Sequence, residues 1–437
     1  MRPNTFSAKL FVLCIITFAI GFVAKETPKN VTDGQALFAT VKQFVAIGEH
    51  RTATKGDSIT AIWLKSKFDS LGASTKLVDF PLEQFFFESG YLKLGNKSAE
   101  VFPVWPVKKG LNLSINGFLV NADKTTDLKD IENKIAYTKV TDAHGSTTPK
   151  IESYIKKLIS SGAIGVLLIT ENSTGEIMAL NTYEGLKAWD VPVYHIAPKD
   201  TNILSAADAE KSRVAINVSG EVKNTIANNI YAKMGNGSKY VVISTPISGW
   251  FTTGGERGPG IAIWIGLGKW VKANASLFKD YTFIFTGHSG HELSGLGAKT
   301  FISKSAPKPS EIKLWVHLGA GVAVKSWKVD KGVWTLTEEA DTNRYIYYDE
   351  SVAESFEKTF KNVKAKTLKG IESQKETIKP GGEGVAFKKA GYTNLVSIAY
   401  AHRLHHVRSD NEYTTSPQIL ADLQIALQAF IYKELSK

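Results

Sequence analysis

An α/β fold is what the sequence predicts, and three observations predict it. Apolar runs of strand length, at residues 135–140, 164–169 and 314–318, are separated by segments with apolar residues at helical spacing. The run Phe283-Ile284-Phe285 leads through a polar, glycine-bracketed loop into a segment of small residues, Ser294 to Ala298, which is the strand, loop, helix order of an α/β unit. The third is size: 437 residues, 43% of them hydrophobic, suffice for two domains.

Taken in order, Asp33 stands ahead of Leu37, Val41, Phe44 and Val45, the pattern of a capped helix. Gly48-Glu49-His50-Arg51 reads as a loop. Residues 58–70 read as a second amphipathic helix that buries Ile59, Ile62, Trp63 and Phe68 and stops at Gly72. A strand follows at 75–80. From 99 to 218 the pattern becomes a compact unit of its own, with strands at 135–140, 164–169 and 191–196. Its helix at 149–161 places Ile151, Tyr154, Ile155 and Leu158 on one face. That alternation predicts a small α/β insert. Its histidines, His144 and His195, are isolated and read as structural. Ile230 to Met234, the Gly235-Asn236-Gly237 turn and residues 240–243 then read as a hairpin. A glycine-rich loop at 252–260 holds Glu256 and Arg257 ahead of a helix at 261–271. Strands at 314–318 and 393–399, a helix at 351–360, a turn at 380–384 and a last helix from Pro417 to Leu435 complete the chain.

Composition narrows the function. Arg2 and Lys9 with the apolar run at 10–23 make residues 1–24 read as a secretory signal. The mature chain is therefore expected to be secreted or periplasmic, with no membrane span after cleavage. Cys14, the one cysteine, lies in that signal, which removes thiol nucleophiles and thiolate zinc sites. A formal charge of +11 favours acidic partners. The lysines are scattered and no nucleic-acid motif is present, so the expected partner is a peptide or another small exported substrate and not nucleic acid.

In an open α/β sheet, ligands bind beyond the carboxyl ends of the strands. Strand ends and the loops after them carry Ser248, Trp250, Glu256, Arg257, His288, Ser289, His291, Glu292, His317, His402, His405 and His406, dispersed in sequence as the parts of an α/β active site are. Their order resembles that of the secreted zinc aminopeptidase family, to which aminopeptidase Y and glutaminyl cyclase are related, carrying a protease-associated (PA) insert. Arg51, Gly56, Trp63-Leu64 and Gly72 resemble that family's lead-in. The resemblance implies a three-layer helix–sheet–helix, zinc-exopeptidase-like core with a mixed sheet of roughly eight strands. That core is built from 25–98 and 219–437, and a PA-like insert spans 99–218.

Residue by residue, the resemblance also implies losses. Pro246 stands where the family has a ligand histidine, and Gly319 where it has the carboxylate of the same ion. Glu256, Glu292 and His406 match the ligands of the other ion, and two carboxylates with a histidine leave a zinc position open. His291 stands where the family has its glutamate base, and a neutral imidazole can take that role; it can equally close the site as a fourth ligand. The expectation is a hydrolase of a peptide or amide bond with one zinc per chain or none. Its catalytic residues are His291, Glu292 and Glu256, and its substrate-binding residues Trp250, Arg257, His288, Ser289, His317 and His405. Ordinary di-zinc aminopeptidase activity is not expected.

Two other readings stay open. One is a metal-free enzyme, carbohydrate-active, with Glu256 and Glu292 as an acid–base pair and Trp250 stacking a sugar at the rim. In that case an ion pair from Arg257 to Glu256 or Glu292 fills the place of the metal. The other is a relative retained for ligand binding without catalysis. A Ser289 nucleophile ranks last, because the final glycine of Gly-x-Ser-x-Gly is replaced by His291.

Overall fold

Two helices open the fold. Helix α1 (Gly34–Val45) is capped by Asp33, whose carboxylate accepts from the Ala36 N–H at 3.1 Å. Helix α2 (Lys55–Ser70) buries Asp57, Thr60, Ala61, Leu64 and Phe68. The expected face is corrected here: Ile59 is 40% and Ile62 59% exposed. The cause is a polar anchor. Asp57 accepts from the Ala53 N–H at 2.8 Å and the Ser289 hydroxyl at 2.7 Å, so the inward face begins with a carboxylate. The computed structural model describes residues 27–141, 144–183, 185–370 and 380–437; the expected signal, residues 1–24 with Cys14, lies outside the described residues.

Strand β1 (Ser74–Leu94) is followed by β2 (Lys97–Pro103), β3 (Ile115–Asn121), β4 (Ile135–Val140), helix α3 (Pro149–Ser160), β5 (Gly165–Thr170), β6 (Val193–Ile196) and α4 (Thr201–Ala209). Strand β7 (Arg213–Met234) returns antiparallel to β1 along almost its whole length. These strands run β1-β2-β6-β5-β4-β3-β7, and because β1 also pairs with β7 the ring closes. The long β1/β7 ribbon is thus common to both halves of the molecule.

The core continues with β8 (Lys239–Pro246), α5 (Gly258–Ala273), β9 (Tyr281–His288), α6 (Leu296–Lys304) and β10 (Ile312–Leu318). A separate hairpin, β11 (Lys325–Asp330) and β12 (Val333–Ala340), precedes β13 (Tyr345–Tyr348), α7 (Ala353–Thr359), β14 (Lys366–Lys369), α8 (Gly384–Lys389), β15 (Leu395–Ala399) and α9 (Pro417–Leu435). The core strands run β1-β7-β9-β8-β10-β15-β13-β14, a mixed sheet of the kind expected. The expected 230–243 hairpin is corrected: β9 lies between β7 and β8, antiparallel to the first and parallel to the second. Gly235-Asn236-Gly237 turns the chain, but the long-range partner wins the hydrogen bonds.

Three layers follow from the alternation of side chains on the sheet. Val241 and Ile243 of β8 face one cluster with α1, α2, α5, α7 and α9; Val242 faces the other, with Phe301 of α6 and Phe387 of α8. In the first layer Phe68 packs on Trp264 and Phe285 with ring centroids 4.4 and 4.9 Å apart, and each such side chain contributes roughly 1.5–3 kcal/mol on burial. Among the described residues no helix is long and apolar enough to cross a membrane.

Candidate functional site

Strands β9, β8, β10 and β15 are mutually parallel, so the loops after them emerge along one edge of the sheet. The 253–257 loop and the 400–411 loop are bolted together by Asp410, whose carboxylate accepts from the N–H groups of Gly255 at 2.8 Å and Glu256 at 2.9 Å. A Cβ on Gly297 would meet the Ser289 carbonyl at 2.1 Å, so only glycine lets α6 pack this close under the β9 loop.

These loops deliver a buried cluster of charge. The Arg257 Nη2 lies 2.7 Å from Glu256 Oε1 and 2.5 Å from Glu292 Oε1, and its Nε donates to the Ser248 carbonyl at 2.8 Å. His406 Nε2 sits 3.4 Å from Glu256 and 3.2 Å from Glu292, while its Nδ1 bonds the Ala179 carbonyl at 2.9 Å. His406 holds a left-handed backbone, φ 61°, a conformation uncommon for a residue with a Cβ. Burial opposes ionisation of Glu256, but Arg257, His405 and His406 outweigh it and hold the carboxyl far below the usual range. Burial opposes Glu292 in the same way, and His406, His291 and Arg257 outweigh it. Burial also disfavours the His406 imidazolium, yet Glu292 and Glu256 raise it to about 10. Two carboxylates, a guanidinium and an imidazolium therefore leave this quartet neutral. His405, by contrast, is driven well below its ordinary value by burial and by His406.

A second group lies next to the first. Glu383 accepts from His288 Nδ1 at 2.8 Å and His291 Nδ1 at 3.2 Å. Burial works against its charge, but the two imidazoles keep it ionised, well below the carboxylate range. A cavity of about 620 Å³ opens above both groups, lined by Asn181, His291, His405 and His406 among others.

Several expected contact residues are enclosed, which corrects their assignment to direct substrate binding. Trp250 is 2% exposed, packed on Trp105 with its indole N–H on Asn181, so it is not a stacking surface at a rim. His288, Ser289, His317 and Arg257 are buried too. His317 Nδ1 bonds Ser244 at 2.9 Å, and burial lowers its imidazole to about 3. Of the expected set, His291, His405 and His406 face the cavity. His195 has the structural place expected of it, between the Leu180 N–H and the Phe102 carbonyl, and burial lowers it to about 3.

Two site residues are new. Glu383 falls in the stretch read as a turn. Asn181 comes from the insert, where no ligand-type cluster was expected; its amide donates to Glu292 Oε2 at 2.6 Å.

Glu256, His405 and His406 each offer one donor atom, all within 4.8 Å of one another. Neither Glu256 oxygen nor His405 Nδ1 has an aligned hydrogen-bond partner, even though Arg257 is in ion-pair range of Glu256. This set fits one metal ion, which would take the place of the proton on His406 Nε2. Glu292, expected as a ligand, has its oxygens on Arg257 and Asn181 and is not in this group, whereas His405 is. No second such set occurs among the described residues.

The architecture is that of the zinc aminopeptidases. BSAP, a zinc aminopeptidase from Bacillus subtilis, superposes with a TM-score of 0.73 at 16% identity, over 93% of this chain and 96% of that one. The Peptidase M28 precursor from Shewanella amazonensis gives 0.69 at 15% identity over 92% and 93%. An aminopeptidase from Aneurinibacillus sp. strain AM-1 gives 0.63 at 14% over 92% and 94%. No family model and no curated protein matches the chain. At these identities the likeness is one of fold, and it agrees with the three-layer core that the sequence resemblance implied.

Proposed function

We propose that the chain is an exported hydrolase of a peptide or amide bond, using at most one metal ion and His291 as its base. One observation carries this reading: His291 lines the same cavity as His405 and His406, with Glu383 buried behind the first and Glu256 behind the other two. Zinc-aminopeptidase neighbours and the basic, apolar first 24 residues support it. An ion held by Glu256, His405 and His406 supplies Lewis acidity to a scissile carbonyl.

The rest is done by the chain's own groups. Ionised Glu383 is acceptor only, so His291 Nδ1 donates to it, and a neutral imidazole held in this way has its lone pair on Nε2. Nε2 takes a proton from water as its oxygen bonds to the carbonyl carbon, and returns that proton to the departing amine as the C–N bond breaks. Arg257 and Asn181 fix Glu292, which in turn holds His406.

The Arg257 bridge between two carboxylates favours a second reading, a metal-free form in which Arg257 and His406 supply the positive charge. The acid–base pair of Glu256 and Glu292 is then disfavoured, because both are held ionised and neither can donate a proton. The test is a panel of aminoacyl amides, peptides and glycosides, run with freshly purified protein of known metal content and again after chelation. Turnover of glycosides alone would remove the peptide reading.

A further inference from the structure

Next to the cavity above the site is a second one of about 550 Å³, lined by Asn172, Trp327, Trp334, Asp341, Tyr400 and Arg403 among others. The two share His144, Asn343, Tyr400, Ala401 and His405, so they are adjoining chambers of one cleft, and His144, read from the sequence as structural, stands in its wall. The β11/β12 hairpin, which belongs to no other sheet, brings Trp327 and Trp334 to the wall. Its indoles are turned toward Arg403, on the loop that also carries His402, His405 and His406.

The charges in this chamber are unequal in their partners. Glu171 pairs with Lys139 at 2.7 Å. Asp341 accepts from the Tyr400 hydroxyl at 3.0 Å and the Asn343 N–H at 2.8 Å. Arg403 has its guanidinium 4.4 Å from the Trp327 ring and 4.9 Å from the Trp334 ring, and its Nη2 donates to the Ser173 carbonyl at 2.8 Å. Among the described residues no carboxylate pairs with it. Indole faces hold a guanidinium without cancelling its charge, and a guanidinium takes a carboxylate through charge-assisted hydrogen bonds.

We infer that this chamber is a subsite for a carboxylate carried by the substrate, received by Arg403, with Trp334 against the apolar part of the same group. In placing that carboxylate beside the reacting bond, the inference rests on the hydrolase reading above. The net charge of +11 works in the same direction, drawing anions toward the molecule.

The test is calorimetric titration of the full mature chain with matched pairs: the dipeptide Leu-Gly against its C-terminal amide, and glucuronate against glucose. Whichever scaffold binds, the acid is expected to bind about ten-fold or more tightly than its neutral partner. In Arg403→Gln that preference disappears, and in Arg403→Lys part of it remains. Trp334→Ala weakens acid and neutral forms alike. Equal affinity of acid and neutral forms for the parent protein overturns the inference, as does a preference that survives Arg403→Gln. The parent comparison decides the matter even where a variant does not fold. Failure of the protein to hydrolyse any amide would remove the hydrolase reading and leave this binding difference standing.

Discussion

Arg257 reaches Glu292 at 2.5 Å from within a fully buried pocket, and the same nitrogen lies 2.7 Å from Glu256. Burial disfavours the guanidinium charge, but Glu256 and Glu292 more than restore it. Removing one member of such a group leaves a buried charge uncompensated, at a cost of about 3–5 kcal/mol. Arg257→Met is therefore expected to destabilise the fold by that amount in chemical denaturation. Arg257→Lys should recover only part, since an ammonium in the place of Nη2 leaves no donor for the Ser248 carbonyl that Nε now reaches. A near-neutral Arg257→Met would show that the bridge does not hold these loops.

The proposed catalysis rests on a different pair, His291 and Glu383. With His291 as base, His291→Ala should lower kcat by about 10²–10⁴-fold while leaving the folded content and the metal content unchanged. Glu383 acts through His291, so Glu383→Gln should lower kcat by less and leave KM alone. A Glu383→Gln enzyme with altered KM and parental kcat would give that residue a different role.

Much of the fold was legible in local signals. Helix α9 runs from Pro417 to Leu435 as read, with the Ser416 hydroxyl accepting from the Ile419 N–H, and α1 carries its Asp33 cap. What stayed hidden was non-local. Glu383 lies 95 residues from His288 and 92 from His291, and Asn181 lies 111 residues from Glu292; nothing in their own neighbourhoods marks them. Likewise no local pattern says that β9 will enter between β7 and β8. The face of α2 was misread because Asp57, a carboxylate, begins its buried side. That correction is testable. Ile62→Lys should change stability by no more than about 0.5 kcal/mol, whereas Leu64→Ala should cost about 2–5 kcal/mol. The reverse order would restore the face the sequence predicted.

Asp57 also gives the fold a pH dependence. Burial raises its carboxyl from 3.8 to about 7, against the pull of the Ser289 hydroxyl and the Ala53 N–H. The folded state then holds this proton more tightly than the unfolded chain. Its stabilising contribution is complete below pH 3.8 and is lost as the pH rises toward about 7. Each pH unit across that window is about 1.4 kcal/mol. Asp57→Asn keeps the shape and an acceptor for Ser289, so its stability should fall less between about pH 4.5 and 7.5 than that of the parent. Parallel curves for the two proteins would mean that Asp57 is ionised throughout.

Metal content separates the two forms of the proposed chemistry. Glu256, His405 and His406 converge within 4.8 Å, whereas Glu292 is bound to Arg257 and Asn181. At most one zinc per chain is therefore expected by elemental analysis of the purified protein. His405→Ala should lower that content, and Glu292→Gln should not; the opposite pattern would return Glu292 to the ligand set in place of His405. Chelation then decides what the ion does. Activity lost with the ion and regained on its return makes it part of the reaction. If chelator leaves activity intact while His291→Ala abolishes it, Arg257 and His406 carry the positive charge of the site by themselves. Two tightly held ions per chain would contradict both forms, because only one donor set converges among the described residues.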